Sequence, residues 1–367
     1  MAQFEIQLIA VVTAIACALP GTFLVLRRVS MLSDAISHAI LPGIVVAFFL
    51  TGNLNSPLLI IGAAATGVLA AALIEALSRT RRVQGDAAIG IVFPLLFSIG
   101  VILIARVASE VHLDVDAVLL GELAFAPFDR LQGWGMDLGP KALWVMGTIL
   151  LVNLTFIVVF FKELKLSTFD PALAAALGFS PVVLHYLLVT IVSITSVGAF
   201  DAVGSILVVA LIVGPASTAY LLTDRLEMML LIASGIGATA AVTGYWAAHA
   251  LDVSIAGAMA GAVGALFLAA LFFAPNLGLI AAMRRASGQR RRFAQQMLLV
   301  HLLHHENTPE EESECRQGHL QEHLRWDEHL TSLALRSSLR EELVVANGDL
   351  LRLTDAGREL AHQTMVS

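Results

Sequence analysis

The chain has 367 residues, of which 57% are hydrophobic and 14% charged, with a mean hydropathy of +0.82, and this balance excludes a water-soluble enzyme or binding domain over most of its length. The formal net charge of -7 decides little, because the orientation of a membrane chain follows the placement of Lys and Arg rather than their sum. Cys17 falls in an apolar run and Cys315 in a distant polar tail, so no disulfide framework is indicated. No basic stretch precedes the first apolar run, so no cleaved secretory signal is expected.

Apolar runs long enough to cross a bilayer of about 30 Å occur at residues 4–26, 29–50, 57–77, 87–107, 142–161, 181–200, 202–222, 226–251 and 253–283. Basic residues fall in every second connection: Arg27 and Arg28, then Arg79, Arg81 and Arg82, then Lys162 and Lys165, then Arg225, then Arg284 and Arg285. The positive-inside rule therefore predicts an N-terminus outside, an odd number of spans and a C-terminus in the cytoplasm.

The second run carries two ionisable side chains, Asp34 and His38, four residues apart. On a helix that spacing puts both on one face, and at membrane depth such groups face a bundle interior or a water-filled path, where they mark a route for ions or substrate. Pro42 follows and lacks an N–H, which releases the His38 carbonyl from its helical partner. Gly214-Pro215 is expected to interrupt a later span. Asp86 reads either as a helix cap beside a basic loop or as part of a gate, and Asp201 lies at an expected outer helix end. His185 and His249 read as interfacial.

The connection 110–141 holds Glu110, His112, Asp114, Asp116, Glu122 and Asp129 and reads as a solvated acidic loop with a short helix on the outer face. Cation attraction or partner docking is the alternative. In the inner connection 162–181, Asp170 is placed to cap a short helix with Pro171 at its first position. An Ala-rich run around Ala174 favours helix, and Gly178 suits its end. A short capped helix between two spans fits docking to a cytoplasmic subunit, or a plain connector.

The segments SMLSDAISHAILPG (30–43), GDAAIGIVF (85–93), FDPALAAALG (169–178) and AFDAVGSILVVALIVGPASTAYLL (199–222) together resemble the permease subunits of bacterial ABC importers for manganese, zinc and iron, over roughly residues 1–285. The resemblance implies an all-α polytopic fold of the type II ABC importer kind. It implies a metal site at Asp34 and His38, and a coupling helix at 169–178 that meets a cytoplasmic ATPase dimer. Further implied partners are a second permease, an extracytoplasmic metal-binding protein and the lipid of the bacterial inner membrane. Ser33 stands where that family usually has Gly. No permanently bound cofactor is expected beyond the transported ion. No Gly-rich phosphate loop of the Walker type occurs, so ATP hydrolysis would belong to a partner. A secondary metal-ion transporter and a membrane-anchored winged-helix metal sensor are the other readings.

From residue 286 the composition becomes that of a small soluble domain. Helical patterns lie near 292–305, 317–325 and 327–342. A strand, an Asn347-Gly348 turn, a second strand and a helix opened by Thr354 follow, resembling a winged-helix fold. From Gly288 onward nine Arg stand against thirteen Asp plus Glu, which argues against a nucleic-acid partner. His301, His304, His305, Cys315, His319 and His323 make a metal-sensing site the alternative to plain surface histidines. Because the typical family permease ends near its last span, the tail is expected to be an addition.

Overall fold

The computed structural model describes residues 2–52, 56, 58–80, 82–83, 85–107, 123–133, 136–323, 326 and 328–366. It divides into two compact units, Met1–Pro275 and Asn276–Ser367. This division falls ahead of the expected 285/286 boundary, because the last apolar helix closes at Phe273 and residues 279–305 form one continuous helix.

In the first unit nine helical stretches among the described residues are long and apolar enough to span a membrane. They are α1 (Ala2–Leu26), the pair α2 (Met31–Ala39) and α3 (Leu41–Thr51), α4 (Leu58–Arg79), α5 (Gly85–Val107), α6 (Lys141–Val159), α9 (Pro181–Val203), α10 (Ser205–Leu222), α11 (Leu226–Leu251) and α12 (Ile255–Phe273). Between α6 and α9 lie two short helices, α7 (Phe161–Phe169) and α8 (Pro171–Ala176).

The organising helix is α1. Of its most apolar window 72% is buried, against 22% for α5, α6 and α12, because α6, α9, α10 and α11 all pack on it. A second group, α2 to α5, leans on α9 through α4. The buried Asn153 of α6 ties the two sides of this interior by donating from Nδ2 to the Ala16 carbonyl and to Thr195 Oγ1, both at 2.9 Å. In lipid, where water cannot compete, such side-chain amides hold helices together.

Two features depart from the sequence reading. Pro215 is buried within an uninterrupted α10, so the expected break there is absent; the backbone instead breaks at Gly204, whose φ of 79° ends α9 one residue before α10 begins. The connection between α5 and α6 contains a short antiparallel hairpin, β1 (Arg130–Gly133) with β2 (Met136–Pro140), that the acidic run concealed. Arg130 holds it by bonding Asp137 at 2.6 Å and Glu5 of α1 at 3.2 Å. Of the acidic residues expected there, Asp129 lies 3.7 Å from the Lys141 amine. Glu110, His112, Asp114, Asp116 and Glu122 lie outside the described residues.

The second unit has its own core, in which Leu298, Leu299, Leu302, Leu320, Val344, Leu351 and Ala361 meet. Its elements are α13 (Leu279–His305), α14 (Glu311–Glu314), α15 (Gln317–His323), α16 (Glu328–Arg340), β3 (Val344–Asn347), β4 (Leu350–Leu353) and α17 (Asp355–Val366). The hairpin pairs Asn347 with Leu350, so its central residues are Gly348 and Asp349, one position later than the Asn-Gly signal indicates. Gly348, at φ 68°, takes the first central position that a type II′ turn reserves for glycine. Thr354 caps α17 as expected, accepting from the Gly357 N–H at 3.1 Å.

Candidate metal path and coupling surface

The span bearing Asp34 and His38 is two helices joined at Ile40. Pro42 sits in the first turn of α3, where its missing N–H costs nothing, and α2 ends at Ala39. At the junction the Ile40 carbonyl accepts from the Gly43 and Ile44 N–H groups at 3.1 and 3.2 Å, and Thr66 of α4, whose hydroxyl bonds back to the Gly62 carbonyl of its own helix at 2.7 Å, approaches that carbonyl to 3.4 Å. Close approach of α3 and α4 depends on Gly43, where a Cβ would overlap the Thr66 hydroxyl and the Gly62 carbonyl.

On α2, Asp34 and His38 face the same way. His38 Nε2 lies 3.7 Å from Asp34 Oδ1, with side chains 28% and 44% exposed for His38 and Asp34 respectively. Ser33 and Ser37 occupy the buried side and return their hydroxyls to the helix, Ser33 to the Ser30 carbonyl at 2.7 Å and Ser37 to that of Ser33 at 2.8 Å. Serine in place of the usual glycine is thus accommodated by a local bond.

Two α5 rings wall the imidazole: Phe93 at 5.3 Å between centroids and Phe97 at 6.1 Å, edge-on. Phe93 closes the segment 85–93 quoted above, but no role for either ring is readable from the sequence, since aromatic residues in a span carry no positional signal. The arrangement leaves one carboxylate oxygen and one imidazole nitrogen close together on a partly open face. A first-row divalent ion accepts such a mixed set but requires at least four ligands, so one chain supplies about half of a coordination sphere.

Three other expected path residues lie on α5, α9 and α10. Asp86 is exposed in the first turn of α5, seven residues or about 10 Å along the axis before Phe93. Asp201 stands near the end of α9, its side chain outside the described parts, and Pro215 is buried in α10.

The short helix α8 forms as its sequence requires. The Asp170 carboxylate accepts from the Leu173 N–H at 2.9 Å and Pro171 opens the first turn. At the far end Phe179 N–H reaches the Ala174 carbonyl and Gly178 N–H that of Ala175, both at 3.0 Å, with Gly178 at φ 88°. This is a Schellman closure, which needs a left-handed residue. Ala174 is fully buried, while Phe169, Leu173, Leu177 and Phe179 stay 40–60% exposed, a compact apolar ridge with no covering element among the described residues.

The neighbouring α7 is pinned to the spans. The Arg27 guanidinium, at the end of α1, donates to Ser167 Oγ at 2.9 Å and Thr168 Oγ1 at 3.1 Å, and the Lys165 amine meets Glu227 of α11 at 2.8 Å. Polar contacts thus join α7, the neighbour of α8, to the end of α1 and to α11.

In the second unit, His301, His305 and Glu314 bring one donor atom each within 4.8 Å of one another. His304 is exposed, its ring 5.1 Å from that of His305. Cys315 is packed into the unit's core, where burial and the carboxylates of Glu311, Glu314 and Glu306 push its thiol up to about 11. His319 contacts Glu314 at 3.1 Å, and the His323 side chain lies outside the described parts. Glu314 belongs to the acidic run 310–314 that, with these histidines, makes a metal-sensing site the alternative reading of the sequence.

Residues 3–274 match the family described as ABC-3, the ABC 3 transport family. The chain is similar to the zinc transport system membrane protein TroD of Treponema pallidum, 45% identical over 357 residues that cover 97% of each chain. It is similar to the manganese transport system membrane protein MntD of Bacillus subtilis, 47% identical over 280 residues covering 76% of this chain and 95% of that one. The tail is therefore shared with the Treponema protein rather than peculiar to this chain. Among solved structures, PsaBC from Streptococcus pneumoniae in complex with Fab is similar at a TM-score of 0.63 and 32% identity, covering 75% of this chain and 92% of that chain.

Proposed function

The chain belongs to the ABC 3 transport family as a multi-pass membrane permease subunit, and on that premise we propose that it forms the translocation path of an ATP-driven importer of Mn2+, Zn2+ or Fe2+ in the bacterial inner membrane. The observation that carries this reading is the Asp34 and His38 pair, 3.7 Å apart on a partly open face of a span. Uncompensated ionisable groups are costly at that depth, and a passing cation is the partner that makes them useful.

Because one chain supplies two donors, a second permease, identical or related, completes the site by facing its own pair across a central axis. Two carboxylates and two imidazoles then hold the ion. Such a set binds Zn2+ more tightly than Mn2+ by intrinsic affinity, so selection of a particular metal falls to geometry or to the extracytoplasmic binding protein that delivers it.

Energy comes from a cytoplasmic ATPase dimer docked on α8. Support for that contact lies in the exposed ridge of Phe169, Leu173, Leu177 and Phe179 and in the ties from α7 to α1 and α11. A transporter driven by an ion gradient needs no such ridge. The N-terminus lies outside and the C-terminal unit in the cytoplasm, as the alternation of basic connections supports. That unit is a winged helix used for regulation or assembly: the β3–β4 hairpin, the bridge of Arg316 to Leu350 beside it and the flanking helices support the reading. Its acidic balance disfavours a role on DNA.

The test is radiotracer uptake of Mn2+ and Zn2+ by cells that carry the wild type, Asp34→Ala or His38→Ala, with membrane levels checked by immunoblot. Both variants are expected to lose uptake while remaining at normal levels in the membrane. Uptake at the wild-type rate by both would remove the pair from the path.

A further inference from the structure

The C-terminal unit holds a second constellation that the transport reading does not use. His301 and His305 stand one turn apart near the end of α13 with rings 4.8 Å between centroids, and Glu314 returns to them as the last residue of α14. One donor atom from each lies within 4.8 Å of the others. Donors around a tetrahedral Zn2+ stand about 3.4 Å apart, so small side-chain rotations suffice to close the set. His301 is 8% exposed, and the side chains of His305 and Glu314 are 13% and 18% exposed, which shields the cluster from bulk water.

Ligating histidines normally have their second nitrogen held in place, which the structure provides for His301 by a hydrogen-bond contact and for His305 by a longer ion-pair contact. His305 Nδ1 lies 3.7 Å from the Glu310 carboxylate, and His301 Nε2 lies 3.2 Å from the Glu314 backbone carbonyl. His319 Nε2, 3.1 Å from Glu314 Oε2, either steadies that carboxylate or moves in as a fourth ligand. We propose that His301, His305 and Glu314 bind a divalent transition-metal ion at a site distinct from the one on the transport path. A donor set of two imidazoles and one carboxylate favours the later first-row ions, Zn2+ above Mn2+.

A bound ion would fasten α14 to the end of α13 across residues 306–310, stiffening the unit on which the helix is built. Its use as a reporter of imported metal rests on the proposed cytoplasmic placement; the site itself does not.

The experiment uses the full-length protein in detergent with Asp34→Ala and His38→Ala already introduced, so that the path pair is silent. Zn2+ is titrated by calorimetry, and bound metal is counted after dialysis. About one Zn2+ per chain is expected, together with a rise in thermal stability by mass action. Adding His305→Ala or Glu314→Gln, both at partly exposed positions and checked for monodispersity, is expected to weaken Zn2+ at least tenfold, with Mn2+ weaker than Zn2+ throughout. No bound Zn2+ in the parent, or unchanged binding when His305→Ala and Glu314→Gln are combined, would overturn the site, and neither result bears on the transport reading.

Discussion

Asp34 and His38 were legible because ionisable residues in an apolar run stand out, whereas the groups that shape their setting were not. Phe93 and Phe97 belong to the ordinary apolar content of α5, and Thr66 carries no signal until the break at Ile40 is known. Single residues also fix how tightly the bundle closes. Asn153→Ala removes both of its interhelical bonds, and in a membrane bundle such bonds contribute on the order of 1 kcal/mol. The expected result is a lower midpoint in thermal unfolding of the detergent-solubilised protein, with unchanged uptake at permissive temperature. Gly43→Val pushes a branched side chain into the Thr66 hydroxyl and the Gly62 carbonyl, and overpacking of this kind costs about 1–3 kcal/mol. Because the clash lies next to the α2–α3 junction, uptake is expected to fall with stability. Equal stability of Gly43→Val and wild type in the same melt would show that α3 and α4 separate more easily than their packing implies.

At the scale of elements, the nine spans were readable from length and composition, since a bilayer demands both. The junction of α2 and α3 was not, because the apolar run continues across it and only Pro42 hints at a boundary. The α8 helix was read almost residue by residue: Asp170, Pro171 and Gly178 each satisfy a local backbone need that sequence alone displays. The apolar ridge over it required the structure, since Leu173 and Leu177 in an Ala-rich helix read equally as buried. Leu173→Asp with Leu177→Asp is expected to abolish copurification of the ATPase while leaving the permease folded, because charge replaces the ridge while the Asp170 carboxylate and Gly178, which close the two helix ends, are kept. Gly178→Arg acts differently, placing a side chain at φ 88° where L-residues are strained by roughly 1 kcal/mol and adding bulk and charge beside the apolar ridge. It is expected to reduce both ATPase binding and uptake. If either variant copurifies with the ATPase in normal yield, α8 is only a connector.

For the whole molecule, the change of composition after the last span announced a second unit, and the hairpin and final helix of that unit were legible from Asn347, Gly348 and Thr354. The convergence of Glu314 on His301 and His305 was not, because it arises only through the fold of residues 306–314. In the proposed function this chain is one half of a path whose ion is held by Asp34 and His38 and whose movement is driven from α8. The most direct test is metal uptake into proteoliposomes that contain the purified permease, its ATPase and ATP, with delivery by the binding protein. Uptake is expected to require both ATP and the ATPase, to persist when a proton ionophore collapses any gradient, and to vanish in Asp34→Ala while that variant still assembles with the ATPase. Uptake without the ATPase, or a wild-type rate in Asp34→Ala, would contradict the account.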